Sequence, residues 1–141
     1  MKKYEFLEHP ADIKIRAFGK DLEELFANAA LAMMEFLYGK NTGRDAPTLS
    51  RGVSTAEKIK IKSRDLESLL VDWLSELLYL SDANNRAYTE FKINKISETK
   101  IEAEVSSCPA KAVEDIKAVT YNDLKIKKQN GLWAAEVVFD I

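Results

Sequence analysis

Two stretches of the chain share one pattern, in which alternating apolar and polar residues give way to a helical spacing. The first reads Ile13-Lys14-Ile15-Arg16 and then Asp21-Leu22-Glu23-Glu24-Leu25, and the second reads Ile59-Lys60-Ile61-Lys62 and then Asp65-Leu66-Glu67-Ser68-Leu69. A period of two is typical of strands, and a period of about 3.6 is typical of helices. Chance similarity in a chain rich in Lys, Glu, Leu and Ile is the alternative explanation. The shared order favours a duplicated strand–helix unit, at about residues 11–40 and 57–84, inside a single domain spanning 1–141.

Two amphipathic helices are predicted, each beginning at an Asp that can cap the free backbone N–H groups. The first covers about residues 21–38 and stops at Gly39. Its apolar stripe consists of Leu22, Leu25, Phe26, Ala29, Met33 and Leu37. The second covers about residues 65–80 and has a wider apolar face, made of Leu66, Leu69, Leu70, Trp73, Leu74, Leu77 and Leu78. A wider face indicates more burial, so we expect the second helix to be the more buried of the two.

Strands account for most of the remaining chain. Alternation predicts strands at about 88–96, 100–105, 116–121, 124–128 and 132–139, and Asn130-Gly131 is a strong hairpin turn. The fold class is therefore α+β, with two helices packed on an antiparallel sheet. Between the helices, the polar segment 39–57 predicts a surface loop suited to contact a partner through Lys40, Arg44 and Arg51.

Composition excludes several classes of protein. The net charge of −2 over 141 residues argues against direct high-affinity binding of nucleic acid. A single cysteine, Cys108, excludes an internal disulfide and a CxxC zinc site, and a single histidine, His9, excludes a zinc site with several histidines. The chain has no secretory signal and no long uncharged apolar run, so we expect a cytoplasmic protein that does not enter membranes.

Candidate site residues follow from strand parity. In the last strand Trp133, Ala135, Val137 and Phe139 share the inward face, so Asp140 points outward, as Asp12 does before the early strand. Asp140 adjoins the terminal carboxylate of Ile141, and together with Asp12 these groups would offer Ca²⁺ or Mg²⁺ the oxygen ligands that such ions prefer. The residues alone favour the simpler interpretation, a frayed terminus with ordinary surface charges.

Two further side chains are open to two interpretations. Lys117 alternates with Val119 and Tyr121, and it either lays its stem over apolar surface or presents its ammonium to a carboxylate or phosphate. His9, before Pro10, is either an ordinary loop histidine or a proton-transfer group. No nucleophile suited to a hydrolase is evident, because Cys108 has no histidine near it in sequence.

These residues resemble the archease family along essentially the whole chain. The opening Glu8-His9-Pro10-Ala11-Asp12-Ile13 is similar to the family's N-terminal signature. The two Asp-Leu-Glu helix starts, the block Ile116-Lys117-Ala118-Val119-Thr120-Tyr121 and the end Phe139-Asp140-Ile141 follow in the family's order. The chain departs from the family at Asn122, where histidine is common, at Pro10, where threonine is commoner, and in the stretch 106–111.

The resemblance implies a function and a site. Archeases assist the RtcB-type RNA ligase of tRNA splicing by promoting transfer of GMP from GTP to the ligase and multiple turnover, and they are activators rather than enzymes. The fold implied has interlocked strand–helix–strand–strand repeats. The functional positions carried over are Asp12, Lys117 and Asp140, with calcium held by Asp12, Asp140 and Ile141, although Mg²⁺ or Mn²⁺ is an alternative ion. His9 and Tyr121 are accessory candidates.

Two other functions are compatible with the residues. The first is a chaperone-like modulator of a tRNA-modifying enzyme such as a tRNA methyltransferase, which the resemblance permits. The second is a metal-dependent hydrolase using Asp12 and Asp140, which the lack of a nucleophile disfavours.

Overall fold

The described residues form seven strands and two helices. The computed structural model describes residues 2–39 and 55–141, with the backbone alone at Thr55. The elements are β1 (Tyr4–Leu7), β2 (Ile13–Gly19), α1 (Leu22–Tyr38), β3 (Thr55–Lys62), α2 (Leu66–Asn84), β4 (Arg86–Ile96), β5 (Lys100–Pro109), β6 (Ala118–Gln129) and β7 (Leu132–Asp140). Most of the predicted loop 39–57 lies outside the described residues, and its last three positions belong to β3.

The described strands form two antiparallel sheets. One sheet has the order β1-β2-β7-β6, and the other has the order β3-β5-β4. The predicted α+β class, with helices packed on antiparallel sheet, is confirmed. Alternation within each strand carries no information about which strands pair, so the division into two sheets became visible only in the structure.

The two sheets belong to interlocked strand–helix–strand–strand modules, as predicted. The module β3-α2-β4-β5 is complete in the three-stranded sheet, and it lies in sequence between α1 and β6 of the module β2-α1-β6-β7. In both modules the last strand pairs between the other two. Descent of the modules from one duplicated unit stays a prediction.

Both helices begin at the predicted caps. The Asp21 side chain accepts a hydrogen bond from the Glu24 N–H at 2.8 Å, and Asp65 accepts one from the Ser68 N–H at 2.8 Å. The α1 helix ends at Gly39 as expected, whereas α2 continues past residue 80 and ends at Asn85, whose φ is 54°. Asn is well suited to that left-handed conformation, so it provides the stop that the apolar pattern did not reveal.

The expectation that the second helix is the more buried was wrong. In α1 nine of 17 residues are buried, against eight of 19 in α2. The predicted apolar stripe of α1 left out small residues that are buried. Ala30 and Ala32 are both fully buried, so neighbouring elements cover more than one side of α1.

The tight passage from β2 into α1 depends on Gly19. A Cβ atom added there would lie 2.3 Å from the Leu25 backbone nitrogen and 2.9 Å from the Asp21 carbonyl oxygen. Because both neighbours are backbone atoms, they cannot rotate away. We expect Gly19→Ala to lower the free energy of unfolding by about 1–3 kcal/mol, measured by urea denaturation. The exposed Lys20→Ala variant is the control, and an equal effect of the two substitutions would contradict this prediction.

Candidate functional site

Three segments that are distant in sequence meet at one end of the four-stranded sheet. Asp12 directly precedes β2, Lys117 directly precedes β6, and Asp140 is the last residue of β7. Strand β7 lies between the other two, with Ile13 paired to Phe139 and Ala118 paired to Asp140. The Lys117 N–H also donates a hydrogen bond to the Asp140 carbonyl oxygen at 2.7 Å. The antiparallel register therefore brings these three candidates to one edge.

The pleat of β7 directs Asp140 to the outer face of this sheet. Phe139 is fully buried on the inner face, and Asp140 follows it on the outer face. Asp12 directly precedes Ile13, the first residue of β2. Asp140 is exposed, Asp12 is half-buried, and the Ile141 side chain is 41% exposed. The inward face predicted for β7 is confirmed at Ala135, Val137 and Phe139, while Trp133 is half-buried.

The His9 imidazole lies between two carboxylates. Its Nε2 hydrogen-bonds the Asp123 Oδ2 at 3.3 Å, and its Nδ1 is 3.4 Å from the Asp12 Oδ2. The second contact has the distance of an ion pair but lacks hydrogen-bond geometry, since Nδ1 is buried with no hydrogen-bond partner. His9, proposed as an accessory residue from the sequence, therefore contacts one of the main candidates directly.

Asp123 was missed by our sequence analysis. The segments predicted as separate strands at 116–121 and 124–128 form the single strand β6, and its pairing with β7 is irregular between Thr120 and Lys125. Asp123 lies in that irregular stretch with a φ of 54°, a conformation that Asp tolerates better than most residues. The break in alternation at Asn122-Asp123 was the available signal, and we interpreted it as a gap between strands.

The remaining candidates at this end of the sheet are exposed to solvent. Lys117 is exposed, and the Tyr121 side chain is 54% exposed. Across residues 2–39 and 55–141, no group of three or more His, Cys, Asp or Glu side chains is placed to hold a metal ion. The ligand set predicted above includes the terminal carboxylate of Ile141, so metal binding by Asp12, Asp140 and Ile141 stays a prediction.

A charged cluster on the outer face holds β2 in register with β7. Glu136 accepts hydrogen bonds from the Arg16 Nε at 3.1 Å and Nη2 at 3.0 Å, and the Lys14 Nζ is 3.2 Å from its other oxygen. Arg16 also donates to Glu5 of β1 at 2.8 Å. Partial burial raises the pKa of Glu136, but the hydrogen bonds from Arg16 and Lys14 outweigh it and lower the pKa overall. This register pairs Ile13, which follows Asp12, with Phe139, which precedes Asp140.

The lowered pKa of Glu136 predicts that the stability of the fold depends on pH. A carboxyl group whose pKa is lower in the folded than in the unfolded state stabilises the fold at pH values above its unfolded pKa, near 4.5. That contribution is lost as the pH falls through the folded pKa. We expect Glu136→Gln to be less stable than the wild type near neutral pH, with the difference shrinking as the pH falls below about 4.5. Urea midpoints of both proteins across that range measure it. A constant difference would show that ionisation of Glu136 does not stabilise the fold.

Comparisons with known proteins identify the family of this chain. Residues 4–141 match the model of the Archease protein family (MTH1598/TM1083). The chain belongs to the archease family. It is 44% identical to the protein archease of Methanosarcina barkeri, covering 99% of this chain and 97% of that protein, and 34% identical to that of Pyrococcus abyssi over the full length of both.

Two solved structures share the archease fold. The solution structure of protein 1598 of Methanobacterium thermoautotrophicum matches with a TM-score of 0.72 at 30% identity over all of both chains. A Thermotoga maritima crystal structure, described as an archease and "possible chaperone", matches with a TM-score of 0.65 at 21% identity, covering 96% of this chain and 94% of that one. In the described part of this archease-family chain, no helix is both long and apolar enough to cross a bilayer.

Proposed function

We propose that this chain is a cytoplasmic accessory protein that activates an RtcB-type RNA ligase of tRNA splicing. It promotes transfer of GMP from GTP to the ligase histidine and supports multiple turnover, without itself catalysing the joining reaction. Membership of the archease family supports this proposal. The observation that carries it is the meeting of Asp12, Lys117 and Asp140 at one sheet edge, held by the pairs Ile13–Phe139 and Ala118–Asp140.

The chemistry of this edge is suited to a divalent cation and a phosphate. Asp12, Asp140 and the Ile141 carboxylate supply oxygen donors, which fit Ca²⁺ best and Mg²⁺ or Mn²⁺ as alternatives. When bound, such an ion would offset negative charge on the triphosphate. The ammonium of exposed Lys117 adds a positive charge at the same edge, where it can contact a phosphate oxygen. The carboxylates and the single lysine at this end of the sheet can therefore position GTP or a metal ion beside the ligase active site.

The test is transfer of radiolabelled GMP to a purified RtcB-type ligase from the same organism, supplied with GTP and Mn²⁺. The ligase is assayed with and without substoichiometric amounts of this protein. We expect a clear gain in the rate of guanylylation and more than one turnover per activator. No gain at any ratio would reject activation.

Lys117→Ala is expected to lower the gain in guanylylation rate about tenfold, the effect of losing one charge-assisted contact of roughly 1.5 kcal/mol. Lys117 is exposed, and its backbone N–H bond to Asp140 survives the substitution. The fold should therefore be unaffected, which a thermal melt would verify. Lys58→Ala, an exposed lysine of the other sheet, is the matched control. Equal rates for the two variants would remove Lys117 from the proposed mechanism.

A chaperone-like role towards a tRNA-modifying enzyme, such as a tRNA methyltransferase, is the second candidate function. The Thermotoga maritima relative is described as a possible chaperone. Exposed apolar side chains at Phe6, Tyr79 and Val113 offer contact surface away from the acidic edge. Light scattering of a heated methyltransferase, with and without this protein, tests the idea. Suppressed aggregation that persists in Asp140→Asn would assign this role to a different surface.

A further inference from the structure

Four lysines are grouped on the outer face of the three-stranded sheet, around a single glutamate. In the register of this sheet, Lys60 of β3 and Lys95 of β4 are the two cross-strand partners of Glu102 on β5. The next pair along β3 and β5 joins Lys62 to Lys100. We call these four lysines the lysine patch. It carries four positive charges around one negative charge, in a chain whose net charge is −2.

The fold does not neutralise the charge of the lysine patch. The Lys100 Nζ lies 2.8 Å from the Glu102 Oε2, and this hydrogen bond lowers the pKa of Glu102. Lys60 and Lys95 lower it further through their charges alone, so their ammonium groups are near the same carboxylate. Among the described residues, no carboxylate is within ion-pair distance of Lys60, Lys62 or Lys95. Like charges directly opposite each other, as at Lys62 and Lys100, weaken a strand pair, and a bound anion would relieve that repulsion.

The other half of this face is balanced in charge. Lys58 and Lys92 are the cross-strand partners of Glu104, whose Oε2 is 4.0 Å from the Lys92 Nζ. Glu90, two positions before Lys92, adds a second carboxylate on the same face. Two lysines therefore meet two glutamates there. The excess of positive charge is a property of the lysine patch and not of the whole face.

We propose that the lysine patch binds the phosphate backbone of RNA. Alternate residues of a strand are about 7 Å apart, and β3 and β4 are about 10 Å apart across β5. The four ammonium groups thus extend from a flat and rigid surface, on which they can contact several phosphates of one strand together. Lysine contacts a phosphate through charge and reads no base, so this binding is independent of nucleotide sequence. The choice of RNA as the source of the phosphates rests on the proposed function, in which the partner is an RNA ligase.

The composition of the lysine patch favours RNA over a protein or a membrane. Protein interfaces are depleted in lysine and are anchored by aromatic side chains. The patch and its central Glu102 offer neither an aromatic anchor nor an apolar side chain that could enter a lipid surface. Without aromatic side chains the patch also cannot stack bases, so charge alone supplies the affinity. Binding is therefore expected to be weak, with a Kd of about 10⁻⁶ to 10⁻⁴ M at physiological salt.

The test is fluorescence anisotropy of a fluorescein-labelled oligouridylate, titrated with the whole protein. Each phosphate contact to a single strand contributes about 0.7 to the fall of log K with log salt, so three or four contacts predict a slope of about −2 to −3. No binding at about 50 mM salt, or binding that does not weaken with salt, would overturn the proposal.

A double variant, Lys60→Gln with Lys95→Gln, locates the binding surface. At about 0.1 M salt the loss of one contact should weaken binding about fivefold, and the loss of both about 25-fold. Both side chains are exposed, so the melting temperature should not change. The matched control is Lys125→Gln with Lys127→Gln, which removes two exposed lysines from alternate positions of β6 in the other sheet. An equal loss of affinity in the two double variants would show that net charge governs binding, and would refute the patch.

Glu102→Gln should have the opposite effect and tighten RNA binding, by up to about fivefold at about 0.1 M salt. The substitution removes the carboxylate at the centre of the patch and releases the Lys100 ammonium from its pair. A role of these lysines in sheet stability alone would not tighten RNA binding in this way. Unchanged or weaker binding would overturn the proposal.

Competing ligands and the ligase assay complete the test. Tighter binding of an oligoglutamate, or of phosphatidylserine vesicles, than of the oligouridylate would assign the patch to a different partner and overturn the proposal. None of these experiments contains the ligase. RNA binding without any gain in guanylylation would therefore refute the proposed activation and leave the lysine patch standing, and activation without RNA binding would have the reverse meaning.

Discussion

Asp140→Asn is expected to abolish activation, so that the ligase transfers GMP at the rate it has alone. The substitution keeps the size of the side chain and the backbone carbonyl that accepts the Lys117 N–H, but it removes one of the charged oxygen ligands of the proposed site. The Asp140 side chain is exposed, so the fold loses no buried contact. The measurement is the GMP-transfer assay at substoichiometric activator. Asp12→Asn should have the same effect, because Asp12 directly precedes Ile13, whose partner Phe139 directly precedes Asp140.

The control for this prediction is Glu98→Gln, which removes one exposed carboxylate from the turn between β4 and β5 in the other sheet. It should activate the ligase as the wild type does. Full activation by a double Asp12→Ala, Asp140→Ala protein would reject the acidic edge as the working part. Single variants that are each as inactive as the double would indicate that the two carboxylates act on one ion.

Of the substitutions considered, Trp73→Ala is expected to lower the free energy of unfolding most, by about 3–5 kcal/mol. The Trp73 side chain is fully buried in α2, its Nε1–H donates to the Phe26 carbonyl of α1 at 3.0 Å, and its ring meets Phe91 of β4 edge-on at 6.0 Å. One side chain thus joins both helices to the three-stranded sheet. Domains of this size are stable by roughly 5–15 kcal/mol, so the variant should be partly unfolded well below the wild-type melting temperature.

Urea denaturation followed by far-ultraviolet circular dichroism measures this loss without relying on tryptophan fluorescence. Tyr79→Ala, on the same helix but 66% exposed, should change the free energy of unfolding by no more than about 0.5 kcal/mol. Trp73→Phe should lie between the two, because it retains most of the apolar volume and loses the hydrogen bond. If Trp73→Ala were no worse than Tyr79→Ala, the helices would not depend on this contact.

Local signals predicted much of the fold. The starts of both helices were correct because Asp21 and Asp65 satisfy backbone N–H groups three residues away, a contact within one turn. The hairpin at Asn130-Gly131 was correct because both residues adopt positive φ, at 54° and 76°, as a two-residue turn requires. The end of α2, predicted at about residue 80, was wrong, since the helix is stopped by Asn85, whose left-handed conformation is not evident from an apolar pattern.

The sequence by itself determined the two described helices, most of the strands, the inner face of β7 and, through the resemblance, the family and three candidate residues. The tertiary structure alone decided the pairing into two sheets, because hydrogen bonds between strands join residues far apart in sequence and alternation is the same whichever partner is chosen. It also decided that Asp123, on an irregular part of β6, reaches His9 on the far side of β7. The spacing of His9 and Asp123 in the sequence does not predict their contact, because the contact forms only when β7 lies between the two strands.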